Sequence, residues 1–233
     1  MQKKRAFTQK NRDAVRYTVF VALFVALAYA VTFVFHLKVS FLTFDAKDAV
    51  ITIAAFLFGP LSGALISLMV AIIENISIGG TGPWGLLMDF ISTASFAVSA
   101  ALIYKRHRTI RGAVVSLGVA SVFTVGVMML ANLLITPLYM GGVDVATVRA
   151  MIPTLLLPFN VAKALLNSAV TMLLYKPVSL ALRHAHLLPE KRMQTGSKSS
   201  GSFGKGTIVT VLVAAALIAI SVVIFLSLDA KLG

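Results

Sequence analysis

Four polar residues interrupt an otherwise apolar stretch late in this chain of 233 residues: Asn160, Lys163, Asn167 and Thr171. Their spacings of three, four and four place all of them on one face of a helix. A lysine at the centre of a bilayer costs about 2.5–3.5 kcal/mol on insertion scales, so it ordinarily faces a cavity, a partner or a ligand. The stripe has two readings. One is interhelical hydrogen bonding, with the lysine reaching back to the interface. The other is the polar wall of a ligand site. The number of polar groups, and the depth of Lys163 within the apolar run, favour the wall.

Three further groups of residues carry candidate chemistry. Asn132, Thr136 and Tyr139 share a helix face, and Pro137 beside them frees the carbonyl of Leu133 and favours a kink. A plain proline kink with an interfacial tyrosine accounts for them equally well. Glu74 and Asn75 close an apolar segment just before Gly79-Gly-Thr-Gly-Pro-Trp84, where they could exchange hydrogen bonds with a ligand. Asp89, a little further on, is a partner for Lys163 or for another buried donor. The stretch His36–Asp48 mixes aromatics with both signs of charge. It reads as an interfacial loop with rings at headgroup level, or as a lid over an outward-facing site. Phe44, Asp45 and Asp48 are its candidate contacts.

Much chemistry is excluded. The chain has no cysteine, which rules out thiolate metal sites and cysteine nucleophiles. His36, His107, His184 and His186 form no HExxH, and no Gly-x-Ser-x-Gly elbow, Walker A loop or kinase set occurs. The glycines around Gly79 match no nucleotide-binding fingerprint. No enzymatic activity, catalytic cofactor or metal site is expected. An embedded enzyme using Glu74, Asp89 and Lys163 would need an acid–base constellation that the spacing does not supply.

The elements that must position these residues are membrane spans. The chain is 58% hydrophobic and 12% charged, with mean hydropathy +0.93, leaving too little polar surface for a water-soluble domain. Apolar runs predict seven spans: about Ala14–Phe35, Lys47–Phe58, Leu61–Ile78, Trp84–Tyr104, Gly112–Tyr139, Val148–Leu182 and Thr207–Leu228. The second is short for a crossing. The first follows a basic N-terminus, residues 1–13, but lacks a small-residue cleavage site and reads as a retained span. Residues 14–187 form a six-span body. Residues 188–206 are a Gly/Ser-rich cytoplasmic linker, and residues 207–228 are an additional helix. The expected fold is therefore an all-α polytopic membrane bundle of six helices with a linked seventh.

With the N-terminus in the cytoplasm, sixteen of the 21 lysines and arginines fall in cytoplasmic segments. The net charge of +13 is then a topology signal with an attraction to anionic lipid heads, not a nucleic-acid surface. The first span also carries Ala22, Ala26 and Ala30, a small-residue ridge that lets another helix approach closely, within the bundle or from outside it.

Four segments together resemble the substrate-binding S components of energy-coupling factor (ECF) vitamin transporters, most closely their riboflavin-specific branch. They are Phe44-Asp45-Ala-Lys-Asp48, Phe58-Gly-Pro-Leu-Ser-Gly63, Asn132-Leu-Leu-Ile-Thr-Pro-Leu-Tyr139 and Leu157-Pro-Phe-Asn160-Val-Ala-Lys163. The resemblance covers about residues 14–185. It implies that riboflavin, or alternatively FMN, binds on the outward side, with Asn132, Asn160 and Lys163 hydrogen-bonding it and the loop after the first helix closing the site. It implies a transmembrane T component and two ATPase subunits as partners, with Ala22, Ala26 and Ala30 as the docking surface for the T component. An S component for another vitamin or precursor, and a solitary ion-coupled transporter, are the alternatives. Thr207–Leu228 departs from the family pattern and reads as a peripheral anchoring or stabilising helix.

Overall fold

A computed structural model describes residues 2–78, 82–141, 143–184 and 205–232. The order is α1 (Gln2–Val34), β1 (His36–Val39), β2 (Leu42–Asp45), α2 (Lys47–Phe58), α3 (Pro60–Ser77), α4 (Gly82–Tyr104), α5 (Ile110–Tyr139), α6 (Val145–Met151), a π-turn (Ile152–Leu156), α7 (Leu157–His184) and α8 (Lys205–Leu232). Among the described residues, six helical stretches are long and apolar enough to cross a membrane: Ala14–Val34, Pro60–Ser77, Gly82–Tyr104, Arg111–Tyr139, Val145–Ala181 and Ile208–Ala230. The chain is a multi-pass membrane protein. Most of the expected linker, 188–204, lies outside the described residues, and residues 205–206 open α8.

The short predicted second span is the centre of the bundle. All but one of the twelve residues of α2 are buried, and α1, α3, α4 and α7 pack around it. Twelve residues rise only about 18 Å, against a hydrocarbon core of about 30 Å. The β1–β2 hairpin supplies the missing depth. Asp45 at its end meets Lys163 and Asn167, the seventh and eleventh residues of α7, so the hairpin reaches well below the rim. The segment expected as a loop is thus an antiparallel pair, with Val39 opposite Leu42 and a turn opened by Ser40 at φ 56°.

Local chemistry fixes the joints. Gly59 adopts φ 107°, a left-handed value that favours glycine, and Pro60 then starts α3. Gly63 lets α3 lie against α2, since a Cβ there would come within 2.8 Å of the Ala55 methyl. At the far end of α2 from the hairpin, Phe56 stacks on Tyr104, whose hydroxyl bonds that of Tyr175 at 2.7 Å. The predicted sixth span is continuous but irregular. Pro153 lies at the start of a π-turn and Pro158 just beyond it, and in the turn the amide of Leu157 donates to the carbonyl of Ile152. Pro137 is accommodated three residues from the end of α5, which runs unbroken to Tyr139.

Candidate functional site

Between the hairpin and the ends of α3, α4, α5 and α7 lies a cavity of about 430 Å³. That is within the ~300–1,000 Å³ usual for small-molecule sites. Its wall combines Leu42, Met88, Met128 and Phe159 with the polar groups of Glu74, Asn75, Asp89, Asn160 and Lys163. Tyr139 lines it as well.

The α7 stripe divides into two halves. Asn160 and Lys163 face the cavity. The amide nitrogen of Asn160 donates to the Leu156 carbonyl at 2.8 Å, beside the π-turn, which leaves its oxygen for other partners. Lys163 Nζ donates to Asp45 Oδ2 at 2.9 Å and to the Thr43 carbonyl at 3.3 Å. An ammonium has three donors, so one is left for the cavity. Asn167 and Thr171 instead build structure. Asn167 accepts from the amide of Ala49 at 2.8 Å and donates to the carbonyls of Asp45 and Lys163, pinning the hairpin–α2 junction to α7. Thr171 donates to the Asn167 carbonyl.

A second buried cation sits opposite. Lys47 Nζ donates to Glu74 and, at 2.7 Å, to Asp89 Oδ1. Asp89 therefore pairs with Lys47, one of the two partners that sequence left open for it. Behind them, Asp48 accepts from the Thr93 hydroxyl at 2.8 Å. Burying two lysines is costly unless each is paired and hydrogen-bonded. Here both are, and the pairs tie hairpin, α2, α3, α4 and α7 around one space. Glu74 Oε1 and Asn75 Oδ1 are buried without a protein hydrogen-bond donor. Both residues line the cavity. A buried acceptor without a donor is uncommon, and these two belong to residues that form the wall.

The remaining candidates are placed as follows. Phe44, Asp45 and Asp48 are buried, with Asp45 holding Lys163 and Phe44 packed between rings, so they support the wall from behind. Asn132 and Thr136 are fully buried in α5 and bond locally: Asn132 donates to the Met128 carbonyl, and the Thr136 hydroxyl to Asn132 Oδ1. Met128, one turn below, is the α5 residue there that lines the cavity. Ala22, Ala26 and Ala30 are all exposed on one side of α1. Sequence reasoning missed Lys47 as a wall residue. Its signal was present as a lysine opening an apolar segment, but its partners lie 27 and 42 residues away.

A membrane bundle that encloses a polar-edged cavity under a hairpin has the architecture of a solute-binding membrane protein. Residues 16–175 match the family described as ECF transporter, substrate-specific component, and the chain belongs to that family. Among its relatives, the riboflavin transporter RibU of Staphylococcus aureus (strain TCH60) is 28% identical over 171 residues, which are 70% of this chain and 90% of that protein. The riboflavin transporter FmnP of Bacillus subtilis (strain 168) is 26% identical over 159 residues, 63% of this chain and 83% of that one. A chain solved in work on the structure and mechanism of the S component of a bacterial ECF transporter superposes with TM-score 0.61 at 27% identity. That superposition covers 72% of this chain and 98% of the solved one.

Proposed function

We propose that this chain captures riboflavin from the outer side of the cell membrane and delivers it inward together with an energy-coupling module. The carrying observation is the cavity's wall. It offers an apolar slot, a spare donor on Lys163, a free amide oxygen on Asn160, and unpaired acceptors on Glu74 and Asn75. A flat ring system with a polar edge and a hydroxylated tail fits that set: the edge toward Asn160 and Lys163, tail hydroxyls donating to Glu74 and Asn75. The two relatives named as riboflavin transporters support the same ligand. Both buried lysines already hold carboxylates, so neither is an unpaired cation.

Lysine and arginine placement supports a cytoplasmic N-terminus and an outward cavity. A carrier with no nucleotide-hydrolysing motif needs its energy from elsewhere, here a transmembrane T component driven by two ATPase subunits. The exposed Ala22, Ala26 and Ala30 ridge of α1 is the surface for the T component, because small residues admit close helix approach. The test is direct. Protein purified from riboflavin-containing medium should carry flavin absorbance, or quench added riboflavin at one equivalent. Colourless protein that quenches neither riboflavin nor FMN overturns the ligand.

A further inference from the structure

The family match ends at Tyr175, so it assigns nothing to α8. The expectation for that helix was a peripheral anchoring or stabilising element, and its contacts are specific. Along α8, Ala214, Ser221, Phe225 and Leu228 are buried, on one stripe with spacings of seven, four and three. Ser221 Oγ donates to the Ala162 carbonyl of α7 at 2.7 Å, next to Lys163 in the chain. One turn further on, the Phe225 ring lies 4.8 Å from the ring of Phe44, in β2. Phe44 meets Phe159 of α7 at 6.0 Å, edge to face. The hairpin's only buried ring is thus held between α7, which forms the cavity wall, and α8, none of whose described residues lines the cavity. Val39 of β1 and Leu228 belong to the same apolar cluster.

Phe44 stands between the two hairpin groups that Lys163 binds, the Thr43 carbonyl and the Asp45 carboxylate. A ring seated on Phe44 therefore restrains the strand that both covers the cavity and orients Lys163. The direction of α8 agrees. If α7 enters from outside, the next crossing runs back outward and brings residues 221–228 to the level of the hairpin. An anchor would need only lipid-facing apolar residues. This helix instead places a buried hydroxyl and a buried ring against the two elements that shape the site.

We propose that α8 is a built-in latch: Phe225, supported by Ser221, is a positioning residue that holds the hairpin closed over the ligand cavity and slows ligand exchange. The kinetic part rests on the riboflavin reading above; the mechanical part does not. The test uses the full chain in lipid nanodiscs, with Phe225→Ala, Phe225→Leu and Ser221→Ala. Hydrogen exchange is followed at residues 36–46 without ligand, and riboflavin dissociation by stopped-flow flavin fluorescence. Losing one aromatic pair should speed dissociation about three- to tenfold in Phe225→Ala. Amides of the hairpin should exchange faster, and Phe225→Leu, which keeps apolar bulk but loses the ring pair, should fall between wild type and Phe225→Ala in both measurements. Faster exchange confined to 205–232, with the hairpin and the dissociation rate unchanged, overturns the latch. Should the wild-type chain fail to bind riboflavin, the ligand reading fails, and hairpin exchange in the variants still decides the latch.

Discussion

Replacing Lys163 by methionine removes two functions that the structure lets one separate. The first is structural. Lys163 holds Asp45, whose side chain is 1% exposed, and breaking a buried pair by deleting one partner costs about 3–5 kcal/mol. The second is the spare donor toward the cavity. A hydrogen bond to a charged group contributes about 1.5–3 kcal/mol. At about 1.4 kcal/mol per decade, its loss weakens riboflavin roughly 10- to 150-fold. The double variant Lys163→Met with Asp45→Asn separates the two. The uncompensated carboxylate is gone, so the melting temperature of the ligand-free protein should return most of the way to wild type. The affinity should not return, because the donor is still missing. Thermal melts and riboflavin fluorescence titrations on the same nanodisc samples supply both numbers. A single variant that binds within twofold of wild type refutes Lys163 as a ligand contact. A double variant that binds like wild type, when the single does not, would mean that Lys163 acts only by holding the hairpin.

Asn75→Ala removes an acceptor assigned to the ligand's hydroxylated tail. Riboflavin should weaken about 2- to 12-fold, the worth of one neutral hydrogen bond, while lumiflavin, which has the ring and no such tail, should bind unchanged. Equal weakening of both would place the ring, not the tail, beside Asn75. On the other side of the molecule, Ala26→Trp fills the small-residue ridge of α1. Uptake by cells carrying an energy-coupling module should be lost, with riboflavin affinity within twofold of wild type. Loss of binding would make the ridge an internal packing surface.

The legible parts of the sequence were those written within single helices. The stripe Asn160, Lys163, Asn167, Thr171 could be found because three- and four-residue spacings put its members on one face, and the structure keeps them there. Spacing could not say which of them meet a ligand. Asn167 faces the same way as Lys163, yet its bonds go to the hairpin, to α2 and to the Lys163 carbonyl of its own helix. Nor could it choose a partner for Asp89, because Lys47 opens α2 and Asp89 lies on α4, with the whole of α3 between them in the chain. The hairpin itself was read as a loop. Its strands are four residues each, too short for a period-two signal to stand out from a run of mixed aromatics and charges.

The shortness of α2 and the presence of the site have one cause. A full-length second span would fill the outer half of the bundle with helix. Ending it at Lys47 frees that volume, and the hairpin that enters in its place brings backbone carbonyls as well as side chains to membrane depth. Irregular backbone at that depth is tolerated where it is buried in protein or lines a cavity. Here the Thr43 carbonyl accepts from Lys163 and the Asp45 carbonyl from Asn167. Lys163 and Asn167 thus satisfy carbonyls that the missing helical turns leave open, and Lys47 is itself held by Glu74 and Asp89. Opening the site then means withdrawing the hairpin, which parts Lys163 from Asp45 and Thr43. On the proposed function, ligand release would be coupled to the breaking of those bonds. A bound ligand that takes the third donor of Lys163 strengthens the same closure.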